Sequence, residues 1–355
     1  MLYQRKLILC QKLFLAFFFI SLSALCYGGE DNSFDLSKIS QIFTGQKSHT
    51  SQFKNYNMVD EDAYLASPNF DTHWQFGTAS RKGEFNWNIA SDATGKVTPN
   101  VLSELSYKDL IITEVTSAFR ARKTTGALSG LLIEAKLNLG QVSTGVVQDS
   151  DYNANDRQDE YNRSVANPQG SSTVSATTAI GYNLYNSTHL AWNTWLGYAF
   201  NEQNFIKRDG KQVLSNEHPN DLAAYTNLDS QYDAQWQGPW VGGEWNWQQH
   251  NHTLGFRMEQ HWPSYYAAAN WNLRAELAHP KSFDQTAQGN GKVFELSYQY
   301  AITRQLHLML QAHHEVWKTN RGIDTLYYAN GNSATTRLNG ANWASQGVSV
   351  GLTFQ

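Results

Sequence analysis

From Leu306 to Lys318 the chain alternates with a period of two. Leu306, Leu308, Leu310, Ala312, His314 and Val316 share one parity; His307, Met309, Gln311, His313 and Glu315 share the other. That period belongs to a β-strand, whose successive side chains leave opposite faces. The chain's last residues repeat it, with Val348, Val350, Leu352 and Phe354 set against Ser345, Gly347, Ser349, Gly351 and Thr353. The polar parity here is small rather than charged, unlike the solvated face of a soluble sandwich. An apolar outside around a polar inside is the arrangement of a barrel in lipid, where closing the sheet pairs every backbone group.

Composition agrees with this. Only 16% of the residues are charged, against about 25% in ordinary soluble domains. Aromatics are abundant, with 12 Trp, 18 Tyr and 17 Phe, yet no run after the N-terminus reaches the length of a membrane-spanning helix. Aromatic girdles, a wet lumen and polar loops give that combination. The N-terminus reads as a secretory signal, residues 1–28. Arg5, Lys6 and Lys12 precede the short apolar run Leu13 to Leu22, and small residues follow near Cys26. Both cysteines, Cys10 and Cys26, lie in this leader, so the body has neither a disulfide framework nor a thiolate metal site. The leader holds three of the 27 basic residues and none of the 31 acids, which leaves the mature chain at −7. That charge argues against nucleic acid as a partner.

Residues 29–70 show no strand alternation and read as a polar extension, either a leader or a periplasmic tether. Residues 71–355 read as an all-β, transmembrane, antiparallel up-and-down barrel of about ten strands. Short turns near 123–126, 186–189, 249–253 and 302–305 alternate with long loops near 91–100, 148–170, 207–227, 265–284 and 319–340. Short periplasmic turns and long outer loops are the rule for outer-membrane barrels. Several strands outrun the roughly 9–11 residues needed to cross, so they should rise above the membrane. Gly83 marks an expected slip of register in the first strand.

A ten-strand barrel is narrow enough for side chains to fill. The polar parity puts Glu104, Lys108, Glu114, Arg120, Glu134, Lys136 and Glu244 in the lumen. On later strands it adds Arg257, Glu259, His261, Glu295, His307, His313 and Glu315. Buried charges must be paired, so these fourteen are expected to form an ion-pair network that plugs the barrel. Trp236, Trp240, Trp245 and Trp247 are expected in aromatic belts. His250 and His252 are too few for a zinc site.

The chain also resembles a known group. The signal, the ten long strands and an acidic second outer loop are similar to the omptin barrels. Local likeness includes Ser-Glu-Leu-Ser-Tyr-Lys-Asp-Leu at 103–110, Gln-Gly-Pro-Trp-Val-Gly at 237–242 and Gly-Val-Ser-Val-Gly-Leu-Thr-Phe at 347–354. Gln148-Asp-Ser-Asp-Tyr152, Ala269-Asn-Trp-Asn-Leu-Arg274 and Ala278-His-Pro280 more closely resemble the protochlamydial outer-membrane protein family, a non-peptidase relative. The omptin resemblance implies an Asp-x-Asp pair facing an Asp-x-His across the barrel rim. Asp149 and Asp151 match the first half, with Glu160 as a further loop acid. Their spacing puts both carboxylates on one side of a strand end, where they could position a water.

The second half departs from the pattern. Residues 263–272 hold no acid and no histidine, so no group there titrates near neutrality. Glu259 and His261 have the right spacing but sit about eight residues lower, on the order of 27 Å at about 3.4 Å per residue. His279 lies in the right loop without an acid two residues before it. Residues 148–160 do not meet the spacing of a calcium loop and read as a solvated acidic loop. The sequence therefore points to an outer-membrane barrel acting as a non-enzymatic structural or surface-interaction protein. An omptin-like endopeptidase is the alternative, and a narrow porin the third reading. No metal or cofactor is expected. The expected partners are outer-membrane lipid, with lipopolysaccharide open as a ligand, and a ligand at the cell surface.

Overall fold

The computed structural model describes residues 69–216 and 222–355. The leader and nearly all of the extension lie outside the described residues. Among the described residues thirteen strands run in chain order: β1 (Phe70–Ile89), β2 (Ser103–Lys123), β3 (Leu131–Tyr152), β4 (Glu160–Asn167), β5 (Ser172–Asn186), β6 (Leu190–Ser215), β7 (Asp229–Gln249), β8 (His252–His261), β9 (Ser264–Asn270), β10 (Phe283–Ala301), β11 (Leu306–Thr319), β12 (Gly322–Tyr327) and β13 (Ser333–Phe354). All pairings are antiparallel, and β1 pairs β13 from Trp74↔Phe354 to Ile89↔Leu338, which closes the ring.

The ring has ten positions, but three are filled by two strands in succession. At the periplasmic end the order is β1-β2-β3-β5-β6-β7-β8-β10-β11-β13. Toward the outer end β4, β9 and β12 take over from β5, β8 and β11. The interruptions fall at 168–171, at Trp262-Pro263 and at 320–321. Proline cannot donate to a ladder, so Pro168 and Pro263 fit such breaks.

The apolar face changes sides along the strands. In the lower half it points out to lipid: Phe76, Val115, Leu139, Leu196, Val241, Met258, Leu296, Leu310 and Val348 are all exposed. Above that band the polar parity turns outward and the apolar parity turns in. Phe85, Trp87, Tyr107, Phe205, Tyr232, Trp236, Tyr265, Trp317 and Trp343 are buried in a single cluster inside the barrel. Where lipid ends, water lies outside, and the hydrophobic effect then favours the lumen for large apolar groups. At about 1.5–3 kcal/mol for each large side chain fully buried, this inner core holds the outer half together.

Several expectations change. Four of the five outer loops are shorter than expected, because β3, β4, β6, β9, β10, β12 and β13 extend into them, while the loop near 91–100 lies between β1 and β2 as expected. The loop between β3 and β4 shrinks to residues 153–159. Gly83 does lie where register slips, but the extra residue is on β2. Asp109 there takes a positive φ of 52°, and the parity of β2 reverses across it. Leu105 and Tyr107 are therefore buried inside. Glu104 and Lys108 face outward and do not join the lumen charges. Trp236 and Trp240 sit inside the barrel, not in the interfacial belts.

Candidate functional site

At the top of β3, Asp149 and Asp151 point into the mouth, opposite Leu105 and Ser103 of β2. Asp149 Oδ2 accepts from Lys207 Nζ at 2.6 Å, and Lys207 Nζ lies 5.5 Å from the Trp271 ring centre. Both members of this pair are largely buried. Asp151 Oδ2 accepts from Asn162 Nδ2 at 2.7 Å. Burial, then the Asp149 charge, push its carboxyl above the usual range. Tyr225 closes the group by hydrogen-bonding Gln212, which in turn bonds Asn162.

Glu160 lies apart from this pair. It binds Arg163, whose guanidinium lowers its pKa, and Ser150. The acidic loop is tied down in the same way: Arg157 binds Glu104 at 2.9 Å through Nε, and Asn100 binds Asp156 at 2.9 Å. Among the described residues no group of three or more His, Cys, Asp or Glu side chains is arranged to hold a metal ion.

The acid–histidine pair suited to activating water lies elsewhere. Glu259 Oε2 and His261 Nε2 are 2.7 Å apart, with the imidazole packed between Trp240 and Trp317 at 5.5 and 4.7 Å. Ring contacts run from Trp317 to Trp236 to Tyr265. The Tyr265 and Tyr232 hydroxyls meet at 2.5 Å, and Phe85 then connects Tyr232 to Tyr107, two strand positions below Asp149. The aromatic core therefore separates Asp149 and Asp151 from this pair. A second acid–histidine contact of the same spacing, Asp71 with His73 at 3.4 Å, lies at the start of β1, at the periplasmic end.

Below that core the lumen charges form two groups. In the larger, Arg120 binds Glu244 through two parallel contacts of 2.8 Å and Glu134 through Nε at 3.1 Å. Arg257 reaches Glu134 at 2.8 Å, Glu244 at 3.3 Å and Glu259 at 2.6 Å. It lies between the faces of Trp195 and Trp240 at 5.0 and 5.1 Å. Lys136 joins Glu295 at 3.0 Å. In the smaller group Arg81 bridges Glu114 at 3.0 Å and Glu315 at 2.7 Å. Glu315 also accepts the indole N–H groups of Trp343 and Trp317, at 2.7 and 3.1 Å. His313 lies near Arg81 and Glu315, and His307 lies near His73 toward the periplasmic end. The Lys207 contact was not expected, because Lys207 falls in the stretch 207–227 read as a loop, whereas β6 continues to Ser215 and keeps Lys207 on its inward parity.

A closed ten-position ring with a lipid-facing apolar band, short turns at one end and a charged lumen defines an outer-membrane β-barrel. The Protochlamydia outer membrane protein family model matches residues 75–355, and the chain belongs to that family. Its fold is similar to that of the outer membrane protease OmpT from Escherichia coli, at 16% identity and a TM-score of 0.63 over 81% of this chain and 97% of that one. The outer membrane protein OprG and a FadL homologue, both from Pseudomonas aeruginosa, also match. Their identities are 8% and 9%, with TM-scores of 0.31 and 0.30, over 81% and 80% of this chain and 95% and 90% of theirs. No curated protein sequence matches significantly.

Proposed function

We propose that this outer-membrane barrel is a non-enzymatic surface protein, whose outer half is a rigid platform presenting polar loops to an extracellular ligand. One observation carries the reading: the outer half of the lumen is packed with aromatic side chains, and Asp149 above it is neutralised by Lys207. A packed core gives a platform stiffness and denies a pore its path. Lys207 also occupies an oxygen of the carboxylate that would have to position a water. Lipid is the second partner. Lys292, Lys318 and Arg321 are exposed on or just beyond β10 and β11, above the apolar band, where they would meet lipid phosphates, those of lipopolysaccharide included.

The peptidase reading keeps some support from the acidic pair at the rim. The test is to refold the full chain with lipopolysaccharide and offer a dibasic fluorogenic peptide. No cleavage is expected. Cleavage that Asp149→Ala abolishes would reverse the conclusion. Planar bilayers should show no discrete conductance steps. Deleting residues 153–159 should weaken adhesion of cells displaying the protein, and unchanged adhesion would remove that loop from the platform.

A further inference from the structure

Five side chains form one hydrogen-bond chain through the outer core. They come from five strands: Tyr265 of β9, Tyr232 of β7, Gln285 of β10, Asp324 of β12 and Thr336 of β13. The two tyrosine hydroxyls are 2.5 Å apart. Tyr232 donates to Gln285 Oε1 at 2.7 Å, Gln285 Nε2 donates to Asp324 Oδ1 at 2.9 Å, and Thr336 Oγ1 donates to Asp324 Oδ2 at 3.2 Å. Tyr232 has one hydroxyl proton and gives it to Gln285, so Tyr265 must donate to Tyr232. The hydrogens along the chain all point toward Asp324.

Asp324 is 3% exposed, and Gln285 and Tyr232 are fully buried. Its carboxylate receives two neutral donors and no cation. The charged group nearest in effect is Asp284 of β10, of like sign, and Asp284 is itself bound to Lys281. Arg337, next to Thr336, turns to Asn339 and the Thr94 carbonyl. An ionised carboxylate so placed pays for desolvation without a counter-charge. Burial pushes Asp324 up to about 6 against the Gln285 and Thr336 donors, which favour the ionised form, and the Asp284 charge adds to the rise.

We propose that this chain is a proton-operated clasp on the outer half of the barrel. With Asp324 neutral, the last bond turns round, Oδ2–H donating to Thr336 Oγ1 while Oδ1 still accepts from Gln285, and the chain ties the short strands β9 and β12 to β7, β10 and β13. Loss of the proton leaves a charge with two neutral donors and no counter-ion in an apolar core, and loosens those two strands with the loops they carry. The sign follows from linkage: a carboxyl more easily protonated when folded contributes stability at low pH, and that contribution is lost as pH rises through its folded value. The clasp does not depend on what the mouth binds.

Hydrogen exchange on the refolded full chain tests this, with rates corrected for intrinsic pH dependence. Between pH 5 and pH 8, protection of amides in 264–270 and 322–327 should fall about tenfold, the change in opening equilibrium for a carboxyl moving from its usual range to about 6. Asp324→Asn keeps the shape, and the fall should vanish. Asp284→Asn should keep the fall but move its midpoint to lower pH. Equal corrected protection at both pH values in the natural protein would overturn the proposal, as would an undiminished fall in Asp324→Asn. If Asp324→Asn does not refold, the natural protein's profile and the Asp284→Asn midpoint decide.

Discussion

Replacing Arg257 by Met tests whether the lower lumen is a dry charge network. Arg257 is 3% exposed, so methionine of similar reach would fill much of its space between Trp195 and Trp240. The charge is what disappears. Glu134, Glu244 and Glu259 lose contacts of 2.8, 3.3 and 2.6 Å with one guanidinium. In this group Arg120, Lys136 and Arg257 face Glu134, Glu244, Glu259 and Glu295, one more carboxylate than Arg and Lys side chains. The substitution raises that excess to two. Removing one partner of a buried ion pair costs about 3–5 kcal/mol, because the remaining charge stays desolvated. Urea unfolding in lipid vesicles, followed by tryptophan fluorescence, should show a loss of that size. Adding Glu259→Gln to Arg257→Met should recover part of it by removing one orphaned charge. Arg163→Met breaks the exposed Glu160 pair and should cost under about 1 kcal/mol. If Arg257→Met costs no more than Arg163→Met, water reaches these charges and the lumen is not dry.

Phe205→Ala should cost about 3–5 kcal/mol, since Phe205 is fully buried and its ring lies 4.1 Å from that of Tyr107. The same unfolding measurement applies, and a loss under about 1 kcal/mol would mean the outer core is loosely packed. Lys108→Ala should change stability by less than about 0.5 kcal/mol, as a surface substitution does. A loss of several kcal/mol would return Lys108 to the lumen.

Much of the barrel was legible in the sequence because period two survives wherever one face meets lipid and the other water. β11 and the lower half of β13 show it without interruption: Leu310 and Val348 are exposed, while Met309 and Glu315 are buried. The pairing of lumen charges was legible too, since Arg120, Glu134, Glu244 and Arg257 all sit on the polar parity of their strands. β2 was read wrongly because its parity reverses at Asp109, and an aspartate is a much weaker mark of a left-handed residue than a glycine. That single reversal misplaced Glu104 and Lys108. The Lys207 contact was missed for a different reason: Lys207 falls in a stretch read as a loop, and partners 58 residues apart leave no trace in local spacing.

The length of the strands was the harder inference, and its failure has a physical cause. Alternation with apolar residues outward stops at the lipid boundary, so 148–170, 265–284 and 319–340 look like loops when read as lipid-facing strand. They read differently once the solvent outside changes from hydrocarbon to water. Tyr265, Ala267 and Ala269 are buried while Ser264, Tyr266 and Ala268 are not, which is strand alternation with the apolar side inward. The same reversal explains why Trp236 lies inside while Trp247 faces lipid on the same strand; Trp240, next to lipid-facing Val241, is inside for another reason, covering Arg257 in the lower lumen. The membrane half has its charges inside, and the water half has its oil inside. The aromatic core stands between the mouth and the Glu259–His261 pair, which makes them separate places in one molecule.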